Sequence, residues 1–259
     1  MKQPLAYVHP DATLADNVTI EPFSSIHRNV TIGQGTWIGP NVTIFEGAKI
    51  GKNCKIFPGA SIAAVPQDLK YNGEKTEVII GDNTVIRECV TISRGTTDKF
   101  VTKIGNNVLL MAYVHVAHDC VIGDHCILAN AVQLAGHVVI EDYAIVGGVT
   151  AVHQFVKVGA HAMISGGSLA RKDIPPYTKA AREPLSYCGI NSIGLRRRGF
   201  STEKIQEIQE IYRYIFLKGL NNSKSIELIE LELPPSSVRD EIVNFVKNSD
   251  RGVMKGYNY

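Results

Sequence analysis

An aliphatic residue returns at every sixth position through most of this chain, and few architectures can accept that period. The first run is Val8, Leu14, Ile20, Ile26, Ile32, Ile38, Ile44, Ile50, Ile56 and Ile62. A short run follows at Ile80, Ile86 and Ile92. A third goes from Ile104 through Leu110, Val116, Ile122, Leu128, Leu134, Ile140, Val146, Val152 and Val158 to Ile164. The position four residues on is nearly always small, as at Ala12, Ser24, Thr36, Thr150, Ala162 and Ser168. Helices repeat near 3.6 residues and strands at 2, so this period fits neither a surface helix nor a simple hairpin array. It predicts a parallel β-helix of hexapeptide repeats. Each hexad supplies a short strand and a bend, and three hexads close a triangular coil of eighteen residues. The aliphatic side chains then stack inward, roughly 4.7–4.9 Å apart along the axis.

Gly, Asn and Asp recur where the bends fall, as in Ile50-Gly51-Lys52-Asn53 and Ile104-Gly105-Asn106-Asn107. Two stretches break the phase. Between Ile62 and Ile80 the inward position would fall on Asp68 and Glu74, and between Ile92 and Ile104 on Asp98. Unpaired carboxylates cannot line an apolar core, so loops leaving the coil are expected near 63–79 and 94–103. Long loops on a rigid scaffold are where function concentrates. After Ile164 the repeat fades through Ile174-Pro175-Pro176. The coil is therefore assigned to residues 1–188 and a C-terminal α-helical domain to 189–259. In the latter, Ser201 caps a helix with Ile205, Ile208, Tyr212 and Ile215 on one face, and two more helices cover Ser223–Leu233 and Ser236–Lys247.

Net charge is +2, and 44% of the 259 residues are apolar. No stretch approaches a membrane span, the N-terminus lacks the apolar run of a signal peptide, and no nucleic acid is expected as a partner. Cys54, Cys120 and Cys126 fall on the small inward position and read as buried packing residues, which with the missing signal points to the cytoplasm. A triangular prism with flat faces pairs most naturally in threes, so a homotrimer is expected.

Of eight histidines, four stand out: His115, His118, His137 and His153. Nineteen residues separate His118 from His137 and sixteen separate His137 from His153, close to one coil each time. All three should therefore gather around one corner of successive coils. Two chemistries use such a cluster. In one, an imidazole is the general base for a hydroxyl nucleophile, with Asp119 orienting the ring and Gly136 offering a backbone N–H to an oxyanion. In the other, three histidines hold zinc and activate water.

Five motifs occur together, in order: Gln67-Asp68-Leu69-Lys70-Tyr71, His115-Val116-Ala117-His118-Asp119-Cys120, Leu134-Ala135-Gly136-His137, Gly148 to Phe155, and Gly194-Leu195-Arg196-Arg197-Arg198-Gly199-Phe200. This set resembles the UDP-N-acetylglucosamine O-acyltransferases, which open lipid A biosynthesis in Gram-negative bacteria, over nearly the whole chain. The resemblance implies a left-handed coil. It also implies transfer of an (R)-3-hydroxyacyl group from acyl carrier protein to the 3-hydroxyl of UDP-N-acetylglucosamine. In that family the general base corresponds to His118, its partner to Asp119 and the oxyanion donor to Gly136. Asp68 and Lys70 match residues holding the sugar and phosphate. His115 and His137 match positions near the glucosamine, and His153 and Gln154 match nucleotide contacts. Asn191, Arg197 and Arg198 match contacts made from the tail.

The resemblance also implies a limit on acyl-chain length at positions around Met163 and Gly166. The chain departs from the family pattern at Ile193 and Pro184, both on the nucleotide side. An acidic carrier protein suits the basic residues Arg171, Lys172 and Arg196 to Arg198. A thioester is already activated, so no metal or other cofactor is expected. Two further readings account for fewer motifs: a zinc-dependent γ-type carbonic anhydrase and a non-catalytic trimeric scaffold.

Overall fold

The computed structural model describes residues 3–256. Successive two-residue strands lie parallel and in register one coil apart, as in His115↔Gln133↔Ala151 and Val116↔Leu134↔Val152. They form three sheets. Face 1 has nine strands, from Tyr7–Val8 to Leu169–Ala170, and face 2 has eight, from Thr13–Leu14 to Lys157–Val158. Face 3 has eleven, beginning at Thr19–Ile20. The inward aliphatic residues from Ile20 to Ile164 are at most 4% exposed and form one continuous column. Each contributes roughly 1.5–3 kcal/mol by leaving water. Leu14, on the first coil with no coil beneath it, stays 37% exposed.

Side-chain oxygens stitch the bends together along the edge between faces 2 and 3. Asp82 Oδ1 accepts from the Lys52 N–H at 2.7 Å, Asn106 Oδ1 from the Asp82 N–H at 2.8 Å, and Asp124 Oδ1 from the Asn106 N–H at 2.7 Å. This is why Asp and Asn recur there. The inward cysteines are inert packing groups. Burial pushes the Cys120 and Cys126 thiols up to about 12, and both donate to backbone carbonyls.

Both interruptions leave the coil at the edge between faces 1 and 2, and both are shorter than expected. Strands Ser61–Ala64 and Glu77–Ile80 bound the first loop at 65–76; Thr91–Ser93 and Val101–Ile104 bound the second at 94–100. The reason is local. Glu77 to Ile80 pair residue by residue with Val101 to Ile104, which buries Val78 and Thr102 completely and extends both strands.

Face 3 continues past the repeat. Thr178–Ala181 adds parallel to Met163–Ile164, Ser186–Ile190 pairs antiparallel to it, and Lys255–Gly256 closes the edge. The boundary expected at 188/189 thus falls inside a strand, because the chain leaving the coil first covers the open sheet edge. Helices follow: α1 (Ser192–Arg197), α2 (Thr202–Phe216), α3 (Asn222–Glu232) and α4 (Ser237–Lys247). Ser201 and Ser236 cap α2 and α4, while Asn221 rather than a later serine caps α3. Their apolar sides meet in a second core around Ile208, Tyr212, Ile229 and Ile242. No helix among the described residues is long and apolar enough to cross a membrane.

Candidate active site

The edge between faces 1 and 2, where both loops emerge, also carries His118. Its ring is 10% exposed, and its Nδ1 lies 2.9 Å from Asp119 Oδ2. Asp119 is fully buried, with φ +59°. Its Oδ2 also accepts from the Thr96 hydroxyl at 2.6 Å, and Oδ1 accepts from the N–H groups of Thr96 at 3.0 Å and Lys99 at 3.3 Å. Burial alone would raise this carboxyl; the bonds from Thr96 and His118, with His137 nearby, outweigh it and hold the group below the ordinary carboxylate range. An ionised Asp119 accepts the His118 Nδ1–H and leaves the Nε2 lone pair free to take a proton.

Nε2 lies against Gly136 and 3.9 Å from Asp68 Oδ2. A Cβ on Gly136 would sit 2.6 Å from His118 Cε1 and 2.7 Å from Nε2, so only glycine lets the ring lie against this backbone. Two clefts lie side by side here, lined by the neighbours Gln67 and Asp68 and by Gly136 and His137. One of about 410 Å³ is polar, with Asp68, Lys70, Asp98, His137 and Gln154 among its walls. The other, about 370 Å³, runs over face 1 beside His115, His118, Leu134, Gly136 and Ala151. A larger cavity of about 680 Å³ lies between the Thr178–Ile190 hairpin and α2, and none of the histidines lines it.

The eighteen-residue spacing acts at this edge with a shift. The residues in equal register are Asp119, His137 and Phe155, all with positive φ. Phe155 stacks on His137 at 4.5 Å, and His118 meets His137 edge-on at 5.0 Å. His153 lies two positions earlier, is exposed, and has its Nδ1 3.1 Å from the Gln154 carbonyl; it does not join the stack. Adding eighteen to 137 would have identified Phe155. His115 packs on face 1 with Nδ1 2.7 Å from Thr91 Oγ1, and burial, aided by the charge of His118, pushes its imidazole below the ordinary value. His137 Nδ1 is 3.1 Å from Asp98 Oδ2. Thr96 and Lys99 carry no signal in the repeat, because their loop lies outside it, and Asp98 marks only the interruption, not its place beside His137.

The tail residues go elsewhere. Asn191 caps α1, accepting from the Gly194 N–H and donating to the His161 carbonyl at 3.0 Å. Arg198 donates to the Tyr143 carbonyl at 2.9 Å, with its guanidinium over the Tyr143 ring. His125, Tyr143, His161 and Tyr177 stack into a column there. Burial and the Arg198 charge push His161 down to about 4. Asn191, exposed Arg197 and Arg198 therefore belong to the edge between faces 2 and 3, and within one chain they do not meet His118. Met163 lies outward on face 3, and Gly166 on the edge between faces 3 and 1, beside Gly148.

His118, Asp119 and His137 offer ligand atoms within 4.8 Å of one another. Zinc takes N and O ligands at about 2.0–2.2 Å. A metal here would have to displace both the Thr96 hydroxyl and the His118 Nδ1–H from Asp119, and His153 supplies no third imidazole. The donor set is that of a carboxylate orienting a histidine, and it does not fit a three-histidine zinc centre.

Comparison with known proteins places this geometry. Residues 173–254 match a family model described as domain 2 of UDP-N-acetylglucosamine O-acyltransferase, and residues 29–64 and 102–136 match the bacterial transferase hexapeptide repeat. The acyl-acyl-carrier-protein:UDP-N-acetylglucosamine O-acyltransferase of Thiobacillus denitrificans is 42% identical over 97% of this chain and 98% of its own length. Among solved structures, the UDP-N-acetylglucosamine acyltransferase of Bacteroides fragilis superposes with a TM-score of 0.97 at 51% identity, covering 98% of this chain and all of its own. That of Francisella novicida gives 0.96 at 44% identity, covering 100% and 95%. The fold is the left-handed parallel β-helix with C-terminal helices.

Proposed function

The chain belongs to the UDP-N-acetylglucosamine O-acyltransferase family, and from that premise we propose that it transfers an (R)-3-hydroxyacyl group from acyl carrier protein to the 3-hydroxyl of UDP-N-acetylglucosamine, the first step of lipid A biosynthesis. One observation carries this reading: His118 lines a mainly apolar groove, its Nε2 lies 3.9 Å from Asp68 of the adjoining polar cleft, Asp119 stands behind it and Gly136 against it.

His118 Nε2 takes the proton of the sugar hydroxyl as its oxygen attacks the thioester carbonyl carbon. The Gly136 N–H holds the tetrahedral oxyanion. As the intermediate collapses, the C–S bond breaks and His118 returns the proton to the departing thiolate. Asp119 keeps the ring in the reactive tautomer and offsets the imidazolium charge. The thioester supplies its own activation, so the step uses no metal or redox group.

Asp68, Lys70 and His137 hold the sugar and phosphate in the polar cleft, His115 the glucosamine side of the groove, and Gln154 the nucleotide side of the cleft. Asn191, Arg197, Arg198 and His153 take the nucleotide end. The three tail residues reach it from a neighbouring copy, because they stand one face away from His118 in their own chain. This requires the homotrimer; a stable monomer by light scattering at micromolar concentration would contradict it. Exposed Arg171, just beyond the His118 edge with Lys172, and the arginines of α1 steer the acidic carrier protein. Such a donor places the work in the cytoplasm, and recovery of the activity in the membrane fraction would count against that. The assay for the whole reading is direct. Metal-free protein given 3-hydroxyacyl carrier protein and UDP-N-acetylglucosamine is expected to yield the acylated nucleotide, and no product would overturn the proposal.

Chain length is set where the groove crosses face 1 toward Gly166. A Cβ there would press on the Gly148 carbonyl at 3.0 Å, with the Gly148 nitrogen at 3.5 Å and the Gly147 carbonyl carbon at 3.8 Å in ordinary contact, and Gly166 has no left-handed φ, so a side chain can be accommodated with a small shift. Gly166→Met is expected to move the preference to shorter acyl groups across a graded thioester series. An unchanged preference would remove Gly166 from this role.

A further inference from the structure

The carboxylate behind His118 is held chiefly from outside the repeat. Asp119 Oδ2, the oxygen that faces His118 Nδ1, also accepts the Thr96 hydroxyl at 2.6 Å, and the Thr96 and Lys99 N–H groups bind Oδ1. Lys99 Nζ reaches the Asp119 carbonyl at 3.3 Å. The turn that presents them is closed and tightly packed: the Phe100 N–H donates to the Thr96 carbonyl at 2.8 Å, and a Cβ on Gly95 would lie 2.3 Å from the Val101 nitrogen. Thr96 is itself buried, with 8% exposure. The same loop lines the polar cleft through Thr97 and Asp98.

We propose that Thr96 is a positioning residue for proton transfer, its hydroxyl fixing and partly neutralising the Asp119 carboxylate so that His118 keeps Nδ1–H toward it and Nε2 free. The inference deepens the acyl-transfer reading and rests on it. A buried carboxylate oxygen shared by two donors is confined in direction, and losing one of them leaves that oxygen held by the other alone. Without the hydroxyl, more of the negative charge on Oδ2 is felt by the histidine. The pair then binds its proton more tightly, and the base is less available at a given pH. The other charged and titratable groups facing this pair are Asp68 and His115 toward His118, and Lys99, Cys120 and His137, with Asp98 behind it, toward Asp119. None of them changes in the variants below.

Thr96→Val keeps the β-branched shape and the backbone N–H but removes the hydroxyl; Thr96→Ser keeps the hydroxyl. The valine variant is expected to lose roughly 10–100-fold in kcat with KM for both substrates little changed, and the acidic limb of its kcat/KM profile moves to higher pH. The serine variant should restore both. A second readout does not depend on activity. Imidazole NMR of the resting protein should show His118 holding Nδ1–H in the wild type and the serine variant, and its titration displaced upward in the valine variant. Wild-type kcat and pH profile in Thr96→Val, or an unmoved His118 titration, would overturn the role. Absence of acyl transfer in the wild type with the NMR displacement present would overturn the reaction and leave the positioning intact.

Discussion

Replacing His118 with alanine is expected to lower acyl transfer by about 10²–10⁴-fold while leaving the coil folded. The size follows from the role: without Nε2 the sugar hydroxyl must lose its proton to water as it attacks. The survival of the fold follows from the position. His118 projects from an edge, whereas the inward neighbours Val116 and Cys120 remain fully buried in the column. Asp119 keeps the Thr96 hydroxyl and two backbone N–H donors, so its charge is not stranded. The measurement is turnover with metal-free protein, alongside thermal unfolding, whose midpoint should shift by only a few degrees. Loss of kcat with KM for the sugar nucleotide maintained is the signature of a group acting in the transition state. An alanine variant turning over at the wild-type rate would remove His118 from the chemistry.

Gly136→Ala should do comparable damage by a different route. The new methyl would lie 2.6–2.7 Å from the His118 ring, well inside the roughly 3.5–4.0 Å of an ordinary carbon contact. The ring cannot retreat without breaking its 2.9 Å bond to Asp119, and His137 stands edge-on beside it. Because Gly136 has no left-handed φ, alanine suits the backbone itself. The effect is confined to His118 and to the N–H offered to the oxyanion. A fall in kcat of about 10²–10³-fold is expected, with loss of the His118 Nδ1–H resonance. Wild-type kcat in this variant would show that the ring has room the geometry denies.

The six-residue period made the scaffold legible, because a coil's interior permits only aliphatic or small side chains and repeats them at a fixed interval. It also marked both interruptions, since Asp68, Glu74 and Asp98 cannot face that interior. The active edge was less legible. Counting in eighteens brought His118 and His137 together, but offsets of one and two positions decide direction at a bend, and they sent His153 outward while Phe155 took the stacked place. The short helix α1 carries a single buried apolar residue, Leu195, so it has no periodicity to read.

By itself, then, the sequence determined the prism, its inward column, the two loops and the residue types available for acid–base work. Those properties are local and repeat along the chain. Tertiary structure alone decided that both loops leave at the His118 edge, that Thr96 grips Asp119 across twenty-three positions, and that Asn191 and Arg198 stand on a different edge. Such pairings depend on how many residues each loop spends outside the coil and on which edge the chain returns to. No interval in the sequence carries that phase once the repeat is broken.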